Sequence, residues 1–291
     1  YPNATIIDFP ALFREHTRGG KSLKKVGIVG GDRMPAACYR QIVEGFTGVQ
    51  LVDITQEFVS LRYMKSAWEL KQIRAAFALA DQCYDAMKKT IRPGVSEIEV
   101  AAAGEYAARS RGATGFGFSA IVGSGPRSNA VVPTASAKKL KSGEMVMVGI
   151  APKVQGYAGV VGDFLPVSGK CTGKQAEALK HLKEVFHLTK EQLLPGNTGK
   201  EIDAPGRAYF QKHGLLKYLV CPFAHTIGLH EAESPFFGPN GTDPLKPGMA
   251  VCVDVSFFGH PEWNGARIET GFEITAKGPK PFSKTMDARF A

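Results

Sequence analysis

The chain has 291 residues, 44% of them hydrophobic and 22% charged, which is the composition of an ordinary globular protein of one large domain, or one large and one small. No apolar run reaches the roughly 18–20 residues that a membrane span needs, and the opening Tyr-Pro-Asn-Ala-Thr-Ile-Ile-Asp-Phe has neither the basic region nor the apolar core of a secretory signal. The net charge of +9 is spread out: its tightest groups, Lys21/Lys24/Lys25 and Lys138/Lys139/Lys141, carry no interleaved aromatics, so a solvated basic surface is expected rather than a nucleic-acid site.

The five cysteines, Cys38, Cys83, Cys171, Cys221 and Cys252, are odd in number, scattered, and in no C-x-x-C pair. That excludes a disulfide framework or a structural zinc knot and points to a reducing compartment, so a cytoplasmic location is expected.

In chain order, Lys25-Val-Gly-Ile-Val-Gly30 reads as a short strand, 34–46 as a helix, and Val49–Ile54 as a second strand. This is too little for a complete α/β layer. Residues 1–60 are therefore expected to be the C-terminal part of a small α/β domain that begins upstream of Tyr1. The Gly-Ile-Val-Gly-Gly stretch is not a G-x-G-x-x-G fingerprint, and no dinucleotide site is expected there.

Residues 61–90 read as one long helix with Leu70, Ile73, Ala76, Phe77, Leu79, Ala80, Cys83, Tyr84 and Met87 on its apolar face, stopped by Arg92-Pro93-Gly94. From there the chain repeats itself. Pro93-Gly94 with Glu97-Ile98 matches Pro195-Gly196 with Glu201-Ile202, opening helices over 97–110 and 201–212 that end at Gly112 and Gly214. Long helices over 66–90 and 174–193 precede the two copies. Each copy then enters a strand from an L-K-x-G turn, Leu140-Lys-Ser-Gly143 and Leu245-Lys-Pro-Gly248. Aligned on that turn, Asp254 falls opposite Gly149. A carboxylate in an apolar strand is costly unless something pairs with it, so Asp254 is a candidate site residue. Matching strand ends of two halves converge in such a duplication, and a central site is expected there.

The polar chemistry lies in the second half. His225, His230, Glu231 and Glu233 fall within nine residues, Asp254 ends Val-Cys-Val-Asp, and Arg267 and Glu269 share one strand face. One His and two carboxylates on neighbouring strands can hold a divalent ion. The bland alternatives are a hydrogen-bonded structural His225, an Asp254/Glu269–Arg267 ion pair, and exposed loop positions for His230 and Glu231.

At this point the chain resembles the creatinase, aminopeptidase P and prolidase superfamily, whose pita-bread fold is shared with methionine aminopeptidase. The carrying motifs are Leu61-Arg62-Tyr-Met-Lys65-Ser66-Ala-Trp-Glu69-Leu, Pro93-Gly94, Gly156-Tyr157, His225-x-Ile-Gly-Leu229, Leu245-Lys-Pro-Gly-Met249 and Arg267-Ile-Glu269. The resemblance implies an α+β fold of duplicated α-β halves around a curved antiparallel sheet over 61–291, and a homodimer. The family's peptidases hold two metal ions with Asp, Asp, His, Glu and Glu. Here those positions carry Gly149, Val160, His225, Asp254 and Glu269. Asp163 is close to Val160, but three residues along a strand reverses the face. Of the family's two catalytic histidines, one position has only Thr134 nearby and the other is Ala232, next to Glu233, with His230 two residues earlier.

Losing two of five ligands predicts no dinuclear centre: either no metal or one divalent ion (Mn, Zn, Fe or Co) on His225, Asp254 and Glu269. His225, Glu233 and His230 are the expected acid–base residues, and Gly149, Val160, Thr134 and Arg267 the expected pocket. The resulting expectation is a divergent hydrolase or lyase on a small amino-acid-like substrate, with no membrane or nucleic-acid partner. The alternatives are a non-catalytic binding module and a metal-dependent Xaa-Pro peptidase.

Overall fold

The structure is a computed structural model that describes residues 8–18 and 22–291. Lys21 of the first basic group, and most of the N-terminal segment read above for a leader, lie outside the described residues. The chain divides into two compact units, one ending at Arg62 and the other Tyr63–Ala291.

The first unit contains α1 (Phe9–His16), β1 (Lys25–Ile28), α2 (Ala36–Gly45), β2 (Gln50–Asp53) and α3 (Thr55–Ser60). β1 and β2 pair in parallel, Lys25 opposite Gln50, with α2 as the crossover. Phe9 and Phe13 of α1 pack their rings on Phe46 at the end of α2, at 6.4 and 5.6 Å.

The second unit opens on α4 (Ala67–Thr90) and α5 (Glu97–Arg109). The single helix expected over 61–90 is a correction: α3 ends at Ser60, and α4 starts at Ala67 because Ser66 and Glu69 close a capping box. The same device starts α5 (Ser96/Glu99), α6 (Gly173–Glu191, Thr172/Gln175) and α7 (Gly199–Lys212, Thr198/Glu201). Reciprocal side-chain caps satisfy backbone N–H groups that the first turn leaves free, so each start is written locally. The buried face of α4 is the set of residues that the periodicity picks out.

Between the helix pairs run β3 (Gly115–Phe116), β4 (Ile121–Ser124), β5 (Met145–Ile150), β6 (Pro152–Val154), β7 (Tyr157–Ala158) and β8 (Val161–Pro166). After α7 come β9 (Ala224–Thr226), β10 (Glu233–Phe236), β11 (Ala250–His260), β12 (Asn264–Thr275) and β13 (Gly278–Pro281), closed by α8 (Lys284–Phe290). The main sheet is antiparallel and curved, in the order β10-β9-β11-β12-β8-β5-β4, with β13 on β12; β3, β6 and β7 form a small second sheet. The two halves are thus visible in the strand order, β11-β12 from one meeting β8-β5 from the other.

Both L-K-x-G turns need glycine, since Gly143 and Gly248 have φ of 84° and 95°, where a side chain is strained. Two further glycines let α4 lie close on the sheet. A Cβ at Gly271 would stand 2.2 Å from the Phe77 ring, and one at Gly159 2.3 Å from the Phe77 backbone nitrogen.

Candidate active site

The register at the junction of the halves places the site. Asp254 pairs with Glu269 across β11 and β12, Glu269 pairs with Gly162 across β12 and β8, and Gly162 pairs with Gly149 across β8 and β5. The second half therefore presents two carboxylates where the first presents two glycines. Gly162 is required by this arrangement: a Cβ there would come within 3.1 Å of the Glu269 Cβ and 3.6 Å of the Arg267 Cδ.

His225 lies on β9 beside Cys252 of β11, is 6% exposed, and is held by a 3.0 Å contact from Nδ1 to the Thr226 carbonyl. That bond places the Nδ1 proton and leaves Nε2 facing inward. Nε2 is 3.4 Å from Glu269 Oε1 and 3.7 Å from Glu231 Oε1. Glu269 Oε1 is buried and has no hydrogen-bond partner. The Cys252 Sγ, a His225 nitrogen and a Glu269 oxygen all lie within 4.8 Å of one another.

Asp254 is differently engaged. Its Oδ1 accepts from Arg267 Nε at 3.0 Å, and Arg267 Nη1 donates to the Val131 carbonyl at 3.0 Å. The ion-pair alternative for Asp254 is thus realised, while Glu269 stays outside it.

Burial opposes a charged His225, but the Glu269 and Glu231 carboxylates, with Asp254 behind them, outweigh it and push the imidazole up to about 10. Burial, reinforced by Glu269, pushes Glu231 up to about 8. Burial likewise raises Asp254, against the opposing pull of Arg267, and holds the Cys252 thiol far above its usual range. Burial thus favours the protonated forms of Glu231, Asp254 and Cys252, while the neighbouring carboxylates hold the proton on His225.

The other expected residues separate. Glu233 is tied to Lys65, Nζ to Oε1 2.9 Å, with both side chains 2% exposed. His230 is exposed, and its backbone N–H lies 3.4 Å from Glu233 Oε2. Thr134 is exposed on its own segment, where it bridges Ile121 and its carbonyl accepts from Arg127 Nη2 at 2.7 Å. Gly149 abuts Ile121, whose Cβ and Cδ1 would lie 3.4 Å from an added Cβ. Val160 is fully buried in an apolar cluster with Ile73, Phe77, Ala158, Ile227 and Cys252. Asp163 faces the opposite side of β8, taking hydrogen bonds from Tyr84 Oη at 2.6 Å and Arg289 Nε at 2.5 Å.

Two members of the cluster received no role from sequence reasoning, and of these only Glu231 was named among its polar candidates. Glu231 was given an exposed loop position as its plain alternative; instead the loop between β9 and β10 folds back and buries its carboxylate beside His225. Cys252 had only its alternation with Asp254 along β11 as a signal, which puts both on one face.

A two-ion centre needs carboxylates from both halves. The donors here come only from the second, and Ile121 and the Val160 cluster fill the opposite side with hydrocarbon. Among the described residues, the donor atoms that lie within reach of one common ion, on His225, Cys252 and Glu269, all come from the second half, and Glu269 Oε1 faces the inward imidazole nitrogen without a hydrogen bond.

The chain is 32% identical over 260 residues to an uncharacterized peptidase of Bacillus subtilis, covering 88% of this chain and 72% of that one. It is 30% identical over 225 residues to a Xaa-Pro dipeptidase of Pyrococcus furiosus, covering 77% of this chain but 64% of that enzyme, just under two thirds of its length. Among solved structures, a Xaa-Pro dipeptidase from Bacillus anthracis superposes with a TM-score of 0.87 at 28% identity, over 97% of this chain and 78% of that one. The prolidase from Pyrococcus furiosus does so with the same TM-score at 26% identity, over 97% and 81%. The sequence pattern of metallopeptidase family M24 matches residues 71–276, from α4 to the end of β12, the span that carries both halves of the sheet and every residue of the cluster; the chain belongs to that family.

Proposed function

We propose that the protein is a divergent hydrolase or lyase acting on a small, amino-acid-like or dipeptide-sized substrate, with a site that operates without a two-ion centre. The observation that carries this reading is the one-sided cluster. His225 and Glu269 remain buried, with the half-buried Glu231 aimed at His225, while Gly149 and Val160 supply no donor opposite them. A buried constellation of this kind is costly to keep unless it is used.

A divalent ion bound by His225 and Glu269 would supply Lewis-acid polarisation of a substrate carbonyl and an acidified water. The remaining roles fall to side chains. Glu231 stands next to His225 and is placed to carry a proton to or from the reacting group. The Lys65–Glu233 pair fixes the start of β10, and with it the loop that carries Glu231. Arg267 keeps Asp254 from the reacting centre. Lining of the pocket by Arg267, a cytoplasmic location and a homodimer belong to the same proposal, whereas Gly149, Val160 and Thr134 are turned to Ile121, to the apolar cluster and to solvent; five free cysteines and the absence, among the described residues, of a helix able to cross a membrane are compatible with it.

The test measures bound metal after supplying Mn2+, Zn2+ or Co2+, together with turnover of a panel of Xaa-Pro dipeptides and N-substituted amino acids. Expected are at most one equivalent of metal and turnover that drops at least about 100-fold in His225→Ala. Two equivalents of metal with Xaa-Pro cleavage would return the chain to the ordinary metal-dependent dipeptidases. A second reading, a binding module without catalysis, is favoured by the capture of Asp254 by Arg267. Absence of any turnover across the panel, with the protein folded, would select it.

A further inference from the structure

The fold family's ligand set would place Asp254 beside His225 and Glu269, but the structure removes Asp254 from it. Both Asp254 and Arg267 are buried, and the guanidinium has its Nε on Asp254 Oδ1 and its Nη1 on the Val131 carbonyl. Turning Asp254 toward an ion would leave a buried arginine without its counter-charge, which costs several kcal/mol.

Cys252 stands two residues before Asp254 on the same face of β11, directly beside His225 in register and opposite Gly271. Gly271 has no side chain to cover it. Its Sγ, a His225 nitrogen and a Glu269 oxygen lie within 4.8 Å of one another. Tetrahedral zinc holds nitrogen and sulfur donors about 3.5 Å apart, so side-chain adjustments on the order of an ångström close the set. Glu269 Oε1 is buried and makes no hydrogen bond, its neighbour being His225 Nε2 at 3.4 Å, so an ion held by the two would satisfy an acceptor that is otherwise incompletely served.

We propose that His225 Nε2, Cys252 Sγ and Glu269 Oε1 form a single-ion site for a borderline-soft divalent cation, Zn2+ or Co2+, with Glu231 supplying a further oxygen next to His225. The inference rests on the loss of the two-ion centre argued above. It changes the donor set from oxygen-rich to mixed nitrogen, sulfur and oxygen. A thiolate selects Zn2+ and Co2+ over Mn2+ and Mg2+, the reverse of what an all-carboxylate site would favour.

The experiment uses the full chain, stripped with a chelator and titrated with Co2+, Zn2+ and Mn2+ alone. Expected are one equivalent of Co2+ or Zn2+, a near-ultraviolet thiolate-to-cobalt charge-transfer band, and Mn2+ binding at least about 10-fold weaker. Cys252→Ser should abolish the band and weaken Zn2+ binding by on the order of 100-fold, more than the loss of an outer-shell partner. Cys221→Ser, which alters a thiol 3.4 Å from the Ser256 hydroxyl, should keep both. A cobalt complex with no charge-transfer band, a band that survives in Cys252→Ser, or no metal uptake by folded protein would each overturn the assignment. The wild-type spectrum decides even if Cys252→Ser does not fold. Two equivalents of metal with a Cys252-dependent band would defeat the single-centre reading and leave Cys252 standing as a ligand; one equivalent without the band would do the opposite.

Discussion

The Asp254–Arg267 pair shows why a side chain in the expected position need not play the expected part. The two groups face each other 3.0 Å apart with little solvent access, and each is tolerable in the sheet only because of the other. Arg267→Leu leaves Asp254 buried without a partner and is expected to cost about 3–5 kcal/mol of stability. Removing both, Arg267→Leu with Asp254→Leu, should recover most of that loss, because the unpaired charge goes too. Denaturant unfolding of Arg267→Leu, Asp254→Leu and the double variant measures the coupling; if the double variant is as unstable as the sum of the two single ones, the pair is not the source of the cost. The Lys65–Glu233 pair follows the same logic. It was legible only as two residues of separate motifs, because the partners are far apart in sequence.

Among the elements, α4 and the sheet meet through Phe77. Its ring stacks on Phe282 at 4.9 Å, and Gly271 gives it room on β12. Gly271→Ala would place a methyl 2.2 Å from the ring, so Phe77 or the strand must move. Overpacking of this kind costs about 1–3 kcal/mol, and since Gly271 is opposite Cys252 the displacement reaches the candidate ion site. The expected outcome is a lower midpoint in denaturant together with weaker Co2+ uptake. Unchanged values for both would show that the helix can shift freely. The helices themselves were readable in the sequence, since four capping boxes and apolar spacing act within a few residues. The start of α4 was misplaced because Leu61–Lys65 shares the apolar character of the helix without its cap.

At the scale of the whole second unit, one histidine-rich patch ties α6, α7 and the β11–β12 turn together. His181 Nδ1 lies 3.0 Å from Tyr209 Oη, its ring is 5.0 Å from His213 and 5.5 Å from Trp263, and His260 stacks on Trp263 at 4.0 Å. Burial lowers His181, with His213 adding to it and Glu177 opposing. Burial also lowers His260, with Glu262 opposing and Lys217 adding to the shift. Both favour the neutral ring when folded. Their contribution is therefore present above the ordinary value of 6.5 and lost as pH falls through the lowered folded values. Glu231, raised to about 8, works in the opposite direction over the same interval, so the histidine contribution is read as a difference: from pH 7 to pH 5 the melting temperature of wild type should change less favourably than that of His181→Phe. The same change in wild type and His181→Phe would show that these rings do not contribute to acid stability.

Taken alone, the sequence determined the helices, the glycine turns, the internal duplication and the fact that only the second half carries His225, Asp254 and Glu269. Those properties depend on spacing and on backbone conformations set by neighbouring residues. Tertiary structure decided which of the polar residues work together. It drew Asp254 to Arg267, brought Glu231 and Cys252 to His225, left His230 in solvent, and filled the first half's side with Ile121 and Val160. Strand register across the sheet and the competition of buried charges for partners are non-local, and no spacing along the chain records them.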